Sequence, residues 1–316
     1  MSVAELLPHR WAHPATILVA TDLNDLNRLM PFALRQAGEN GARLILLHVL
    51  ASTAAFATDA AGLPYYDTAG LLEYADEALM PWCEAAHRQG ISCDALVREG
   101  VAAQQISAAA RQFQADRVLL GTRGRGKLSK LLIGSVAEQV LRSVNLPVIT
   151  VGPEAHLPVE GNEKHIVLHA TTLRETSRPS AALACQVAAT LGSNLVLLHV
   201  LPPASEYEEQ GPASEIDAYT AEELRHLASE TGAGCCIEIE PVVVRGNPSI
   251  EILAEASERQ ASLIVLGSTH RSAFENLARD RTVYRVLAHA RCPVLTLRET
   301  LGEETEDRPQ SLEVYQ

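Results

Sequence analysis

Leu44–Val49 reads LILLHV, and Leu195–Val200 reads LVLLHV. Each run is aliphatic at every position but one and shows no alternation of polar with apolar residues. That is the pattern of a strand buried on both faces of a parallel sheet. Three further segments recur in the same order. Arg117–Thr122 (RVLLGT) matches Leu263–Ser268 (LIVLGS), and Leu146–Val151 (LPVITV) matches Cys292–Leu297 (CPVLTL). Thr16–Thr21 (TILVAT) matches His165–Ala170 (HIVLHA) more loosely. All offsets fall between 146 and 151 residues, so the chain is one domain written twice.

Helical patterns separate the strands. Leu26, Leu29, Met30, Ala33, Leu34 and Ala37 keep the spacing of one apolar stripe. Further helices are expected over Leu71–Arg88, with a kink at Pro81, over Ala102–Phe113 and over Ser135–Val144. Strands are expected near 15–21, 43–50, 91–98, 116–121 and 147–152, and again near 164–170, 194–201, 236–245, 262–267 and 292–298. With right-handed crossovers this predicts an α/β protein of two tandem, doubly wound, five-stranded parallel sheets, Rossmann-like, with strand order 3-2-1-4-5 in each. The expected division is a first domain over 1–152, a linker over 153–163, a second domain over 164–298 and an acidic, solvated tail over 299–316. Segment 51–69, rich in Ala, Thr and Gly, is expected to be a long surface loop.

The 316 residues carry 47% hydrophobic and 21% charged side chains, enough apolar surface for real cores. Aromatic content of 4% argues against base-stacking platforms, and a net charge of −13 against a nucleic-acid or anionic-membrane binder. The charge is uneven. Residues 1–152 hold 13 basic and 14 acidic side chains, whereas residues 153–316 hold 13 and 25. The opening MSVAELLPHRWAHP has no basic cluster or apolar core of a secretory signal, and no apolar stretch approaches the length of a membrane helix. The six cysteines show no CxxC pair, so buried free thiols in a cytoplasmic protein are expected.

Ligands of such sheets bind beyond the carboxyl ends of the strands where the strand order reverses, here between the first and fourth strands. The first strand ends in Ala20-Thr21-Asp22. The fourth ends at Gly121, followed by TRGRGKLSKLLIGS. That connection is long for a βα loop and holds Gly124, Gly126 and Gly134 among Arg123, Arg125, Lys127 and Lys130. Glycines admit close backbone approach to an anion, the helix start at Gly134-Ser135 adds oriented N–H donors, and the cations neutralise charge. Gly121-x4-Gly126-Lys127 imitates a Walker A loop only until Leu128, which replaces the magnesium-binding hydroxyl.

The spacing Gly121-x2-Gly124-x9-Gly134-Ser135, the aliphatic strand before it, VAEQVLRSVNLPVITV after it and ILVATD near the N-terminus together resemble the ATP-binding universal stress proteins. The resemblance covers both repeats and implies a tandem-type member of the adenine-nucleotide-binding fold group. It implies Asp22 near the ribose, the Val49 backbone at adenine, and Gly121, Gly124, Gly134, Ser135 and the Val136 amide along the phosphates. Arg123, Arg125 and Lys127 join the set by charge and position. It further implies ATP, with or without Mg2+, as ligand, a stress-response regulatory role with an unidentified protein partner, and pairing of the last strands, 147–152 with 292–298, as an intramolecular pseudo-dimer. Homodimerisation is a further expectation.

The second half departs from the motif. His270 stands where Gly124 does, Asp280 and Arg281 replace Gly134 and Ser135, and Thr171 is read in the place of Asp22. One nucleotide per chain is therefore expected, in the first half. Asp22 has a second reading as a cap of the following helix, as have Asn24 and Asp25. His48 and His199 read as satisfied core histidines. No GxSxG elbow or positioned base accompanies Ser135, so no catalytic residue is assigned. A slow ATP-hydrolysing or adenylate-transferring enzyme and a nucleotide-free scaffold remain as alternatives.

Overall fold

The computed structural model describes residues 8–51, 68–122, 133–156, 165–203, 213–233, 236–268 and 277–299. A single helical turn, α1 (His9–Ala12), precedes the first repeat. That repeat runs β1 (Thr16–Thr21), α2 (Leu26–Asn40), β2 (Arg43–Leu50), α3 (Thr68–Arg88), β3 (Cys93–Glu99), α4 (Ala102–Gln112), β4 (Arg117–Gly121), α5 (Ser135–Ser143) and β5 (Val148–Val151). The second runs β6 (Ile166–Ala170), a 3-10 turn (Glu175–Ser177), α6 (Arg178–Thr190), β7 (Asn194–Leu201), α7 (Ala213–Gly232), β8 (Ile239–Arg245), α8 (Pro248–Glu258), β9 (Leu263–Ser268), α9 (Leu277–His289) and β10 (Val294–Arg298). Pro81 lies inside α3, which continues to Arg88. Most of the expected 51–69 loop and 153–163 linker, and the tail beyond Glu299, lie outside the described residues.

The strands form one ten-stranded sheet in the order β3-β2-β1-β4-β5-β10-β9-β6-β7-β8. Each half keeps the order 3-2-1-4-5, and the halves join through β5 and β10 as the resemblance implied. This junction is antiparallel, with Val294 opposite Thr150, Leu295 opposite Ile149 and Thr296 opposite Val148, whereas the other strand pairs are parallel. Its side-chain bonds are reciprocal. Thr150 Oγ1 donates to the Val294 carbonyl at 3.3 Å and Thr296 Oγ1 to the Val148 carbonyl at 3.2 Å.

The unalternating strands follow from the two layers of helices. Leu44 and Leu46 face a core shared with α2, α3, α6 and α7, while Ile45 and Leu47 face a second core shared with α4, α5, α8 and α9. Successive side chains point to opposite faces, and both faces are dry, so every position is aliphatic. α2 buries Leu26, Leu29, Met30, Ala33 and Ala37 on one stripe and ends at Gly41, whose φ of 64° closes the helix in the left-handed conformation. Four of the cysteines, Cys83, Cys93, Cys185 and Cys292, are buried free thiols as expected; Cys236 is exposed instead, because it falls in the turn before β8, and Cys235 lies outside the described residues. Among the described residues no helix is long and apolar enough to cross a membrane.

Candidate functional site

β1 lies between β2 and β4, and its last pair, Thr21 with His48, leaves Val49 one residue beyond its end. Gly121 closes β4 on the other side, opposite Val151 of β5. The carboxyl ends of β1, β2 and β4 thus carry Asp22, Val49 and Gly121 to one edge of the sheet, around the reversal of strand order. His48 is held by the strand next to it: its Nδ1 lies 2.9 Å from the Thr21 carbonyl, within hydrogen-bond distance.

The turn after β1 is built by side chains. Leu23 N–H donates to Thr21 Oγ1 at 2.9 Å, and Asn24 N–H donates to Asp22 Oδ1 at 2.9 Å. Leu23 takes a φ of 72°, a position that the two side-chain turns hold in place. The N-cap residue of α2 is Asp25, with no side-chain cap bond, so Asp22 does not cap the helix. Its second oxygen, Oδ2, makes no hydrogen bond to the described residues and is an acceptor at the rim of the crevice.

Sequence reasoning missed the role of Asp25. Its carboxyl is 8% exposed, accepts a 2.6 Å hydrogen bond from Thr21 Oγ1, and packs against the α-carbon of Gly121. A Cβ on Gly121 would meet Asp25 Oδ2 well inside contact distance, and the Arg28 guanidinium lies 3.3 Å from the same point. Burial raises the Asp25 pKa to about 6; Asp22 adds to the rise, while the Thr21 hydrogen bond and Arg28 oppose it. Gly121 is therefore required first by a buried acid. A glycine in a phosphate-like pattern gave no signal for that, and the Thr21–Asp25 spacing of four is common.

At the far side of β4, Thr122 is buried, and its N–H donates to the Val151 carbonyl at 3.2 Å. Gly134 N–H donates to the Thr122 carbonyl at 2.6 Å, so the two ends of the β4–α5 connection meet. Gly134 is the N-cap of α5 and supplies no side-chain cap, whereas Asn247 at the start of α8 accepts Ser249 N–H. Ser135 and Val136 are exposed at this uncapped N-terminus, whose N–H groups are suited to an anion. Gly124, Arg123, Arg125 and Lys127 lie outside the described residues. The described part fits a nucleotide in two respects: a carboxylate acceptor at Asp22 for hydroxyls, and donors at α5 for phosphate. Among the described residues no group of three or more His, Cys, Asp or Glu could hold a metal ion.

The second repeat corrects one assignment. β6 pairs Val167 with Leu263, where β1 pairs Ile17 with Arg117, which shifts the loose match of the first strands by one residue. Thr171 accordingly matches Thr21: its carbonyl lies 2.9 Å from His199 Nδ1, and its Oγ1 accepts Leu173 N–H at 3.1 Å. Thr172, not Thr171, stands where Asp22 does. Burial lowers the His199 pKa, in keeping with a satisfied core residue. Gly267, the counterpart of Gly121, also packs against a carboxyl, but from another part of the chain. Glu299, 8% exposed, accepts a 2.6 Å hydrogen bond from Ser180 Oγ, and a Cβ on Gly267 would overlap it. The acidic tail was expected to be solvated from Glu299 onward; its first residue is buried instead, because the β9–α6 corner supplies a hydroxyl and a glycine to receive it.

Comparison with known proteins agrees with the doubled architecture. The profile of the universal stress protein family matches residues 15–152 and again 164–298, and the chain belongs to that family. A universal stress protein of Mycolicibacterium smegmatis is 27% identical over 307 residues, covering 89% of this chain and 96% of its own length. The crystal structure of a universal stress protein from Archaeoglobus fulgidus covers 90% of this chain and 99% of its own, with a TM-score of 0.66 at 20% identity, a likeness of fold. A universal stress protein solved in complex with cAMP aligns with 44% of this chain and 100% of its own, with a TM-score of 0.35 at 20% identity.

Proposed function

We propose that the chain is a cytoplasmic, ATP-binding regulatory protein that holds one nucleotide, in its first repeat. The observation that carries this reading is the contrast between the two strand-end crevices. In the first, Asp22, Val49, Gly121 and the uncapped start of α5 at Gly134-Ser135 share one edge of the sheet. In the second, Thr172 stands in the place of Asp22, and Asp280 and Arg281 stand in those of Gly134 and Ser135.

Asp22 would accept from the ribose hydroxyls and the Val49 backbone would meet adenine. The backbone of Gly121, Gly124, Gly134, Ser135 and Val136 would line the phosphates, with Arg123, Arg125 and Lys127 neutralising them and Mg2+ accompanying the nucleotide. An unidentified protein partner would read nucleotide occupancy. No catalytic residue is assigned in this reading, and turnover should be slow.

Mass spectrometry of what copurifies, a turnover assay and calorimetry test the reading together. ATP retained at one per chain with negligible turnover supports it. Rapid turnover favours an enzyme, absence of nucleotide affinity a scaffold, and two nucleotides per chain removes the division between repeats. Bound ATP should stabilise the fold by about 2.7 kcal/mol at a hundredfold excess over Kd. Gly124→His, which copies the second repeat, should abolish both binding and that stabilisation.

A further inference from the structure

Cys83 lies in the last two turns of α3, and Cys93 is the first residue of β3. The short turn between them is tightly bonded. Gly90 N–H donates to the His87 carbonyl at 2.9 Å, Ile91 N–H to the Ala86 carbonyl at 3.0 Å, and Gly90 supplies a φ of 75°. The chain therefore doubles back along the helix. Cys93 N–H donates to His87 Nε2 at 3.3 Å, and His87 is one helical turn beyond Cys83 on the same face. The two side chains pack in the same apolar core, 3% and 4% exposed, and the turn brings their thiols together.

Nothing in the nucleotide crevice uses this pair, which sits at the outer edge strand of the sheet. A metal site does not account for it, since no cluster of three ligating side chains forms among the described residues. We propose that Cys83 and Cys93 are a redox site, oxidised by peroxide to a reversible disulfide that ties α3 to β3.

The two sulfurs differ in setting. Cys83 stands on its helix beside the exposed Glu84 and His87, and its interaction with Cys93 holds its thiol below the ordinary range, whereas Cys83 and burial push Cys93 up. Cys83 is the attacking sulfur of the proposal. Its thiolate attacks one peroxide oxygen and the O–O bond breaks; the released hydroxide is protonated to water, and Cys83 becomes a sulfenic acid. The Cys93 sulfur then attacks the Cys83 sulfur. The S–S bond forms, the S–O bond breaks, and the leaving hydroxide takes the Cys93 proton as a second water. Two thiols are oxidised and one peroxide is reduced. Peroxide is small enough to reach a pair lying beside the exposed Glu84 and His87. Cys292 is the internal contrast, because burial raises its pKa to about 12 and it sits in the opposite core.

The test is peptide mapping of the full-length chain after hydrogen peroxide, with alkylation in denaturant. Trypsin cuts at Arg88, between the two cysteines, so a disulfide appears as two linked peptides lighter by two hydrogens. The expected result is a Cys83–Cys93 link that dithiothreitol reverses, with Cys292 recovered as an alkylated free thiol. Recovery of Cys83 and Cys93 as free thiols at a dose that oxidises the exposed Cys236 overturns the proposal, as does equal linkage of either to other cysteines. Cys93→Ala should leave a sulfenic acid at Cys83 that a dione probe traps; an unlabelled Cys83 in that variant overturns the order of attack.

Discussion

The carboxyl of Asp25 lies against the α-carbon of Gly121, where an alanine methyl group would have to stand. Gly121→Ala therefore either displaces the acid from its hydrogen bond with Thr21 or pushes β4 aside. Overpacking of this kind costs about 1–3 kcal/mol. The same substitution in an Asp25→Ala background removes the obstacle and should cost markedly less. Denaturant unfolding of the four proteins in the cycle measures the coupling. Additive effects would show that Asp25 and Gly121 do not constrain each other.

Asp25 also predicts a pH dependence. Its folded pKa of about 6 exceeds the unfolded value of 3.8, because burial opposes ionisation. The folded state thus binds the proton more tightly. The contribution is full below about 3.8 and is lost as pH rises through about 6. Asp25→Asn keeps an acceptor for Thr21 without a charge to bury. It should raise stability above pH 6.5 by up to about 3 kcal/mol and leave it nearly unchanged near pH 4. Thermal unfolding from pH 4 to 8 checks both limits.

Gly121 also shows which parts of the chain sequence could reveal. Strands such as Leu44–Leu47 announce themselves because two dry helix layers demand an aliphatic side chain at each position. The doubling was equally plain, because two copies must satisfy the same layers. The site was legible as a pattern of glycines at strand ends. What Gly121 touches was not, since its partner Asp25 lies 96 positions away in the chain, and a buried acid spells the same letter as a capping one. The Thr171 register failed for a related reason. TILVAT and HIVLHA match only loosely, and two threonines follow Ala170, so the strand pairing and the contacts made by Thr171 are needed to separate them. Glu299 was hidden by composition, because an acid that opens an acid-rich tail looks solvated.

Glu299 and Ser180 reproduce in the second repeat, from different sequence, what Asp25 and Thr21 do in the first. Glu299→Ala leaves Ser180 without that acceptor and opens space over Gly267, for a cost of about 1–3 kcal/mol. Truncation after Arg298 also removes the 2.9 Å bond from Glu299 N–H to the Ser268 carbonyl, so it should cost about 1 kcal/mol more than this single substitution, and Gly267→Ala should become milder in either background. A truncation much more damaging than Glu299→Ala would assign stability to residues beyond 299.

His169 gives the opposite pH sign to Asp25. It is fully buried in β6, with Nδ1 3.0 Å from the Val265 carbonyl and Nε2 without a hydrogen-bond partner. Burial lowers its pKa to about 4, from 6.5 in the unfolded chain, because the core cannot solvate an imidazolium. The unfolded state therefore binds a proton that the folded state refuses. The stability tied to the neutral ring is full above about 6.5 and is lost as pH falls toward 4, by up to about 3 kcal/mol. The first repeat holds Val19 at the matching position, so His169→Val substitutes a residue that this fold already accepts. At pH 7.5 the exchange removes one hydrogen bond and one unpaired nitrogen, and the net change should stay within about 1 kcal/mol. At pH 5 the variant should be clearly the more stable protein, with the gap in melting temperature widening as pH falls. A constant gap across that range would mean that His169 is not the group whose protonation opposes folding.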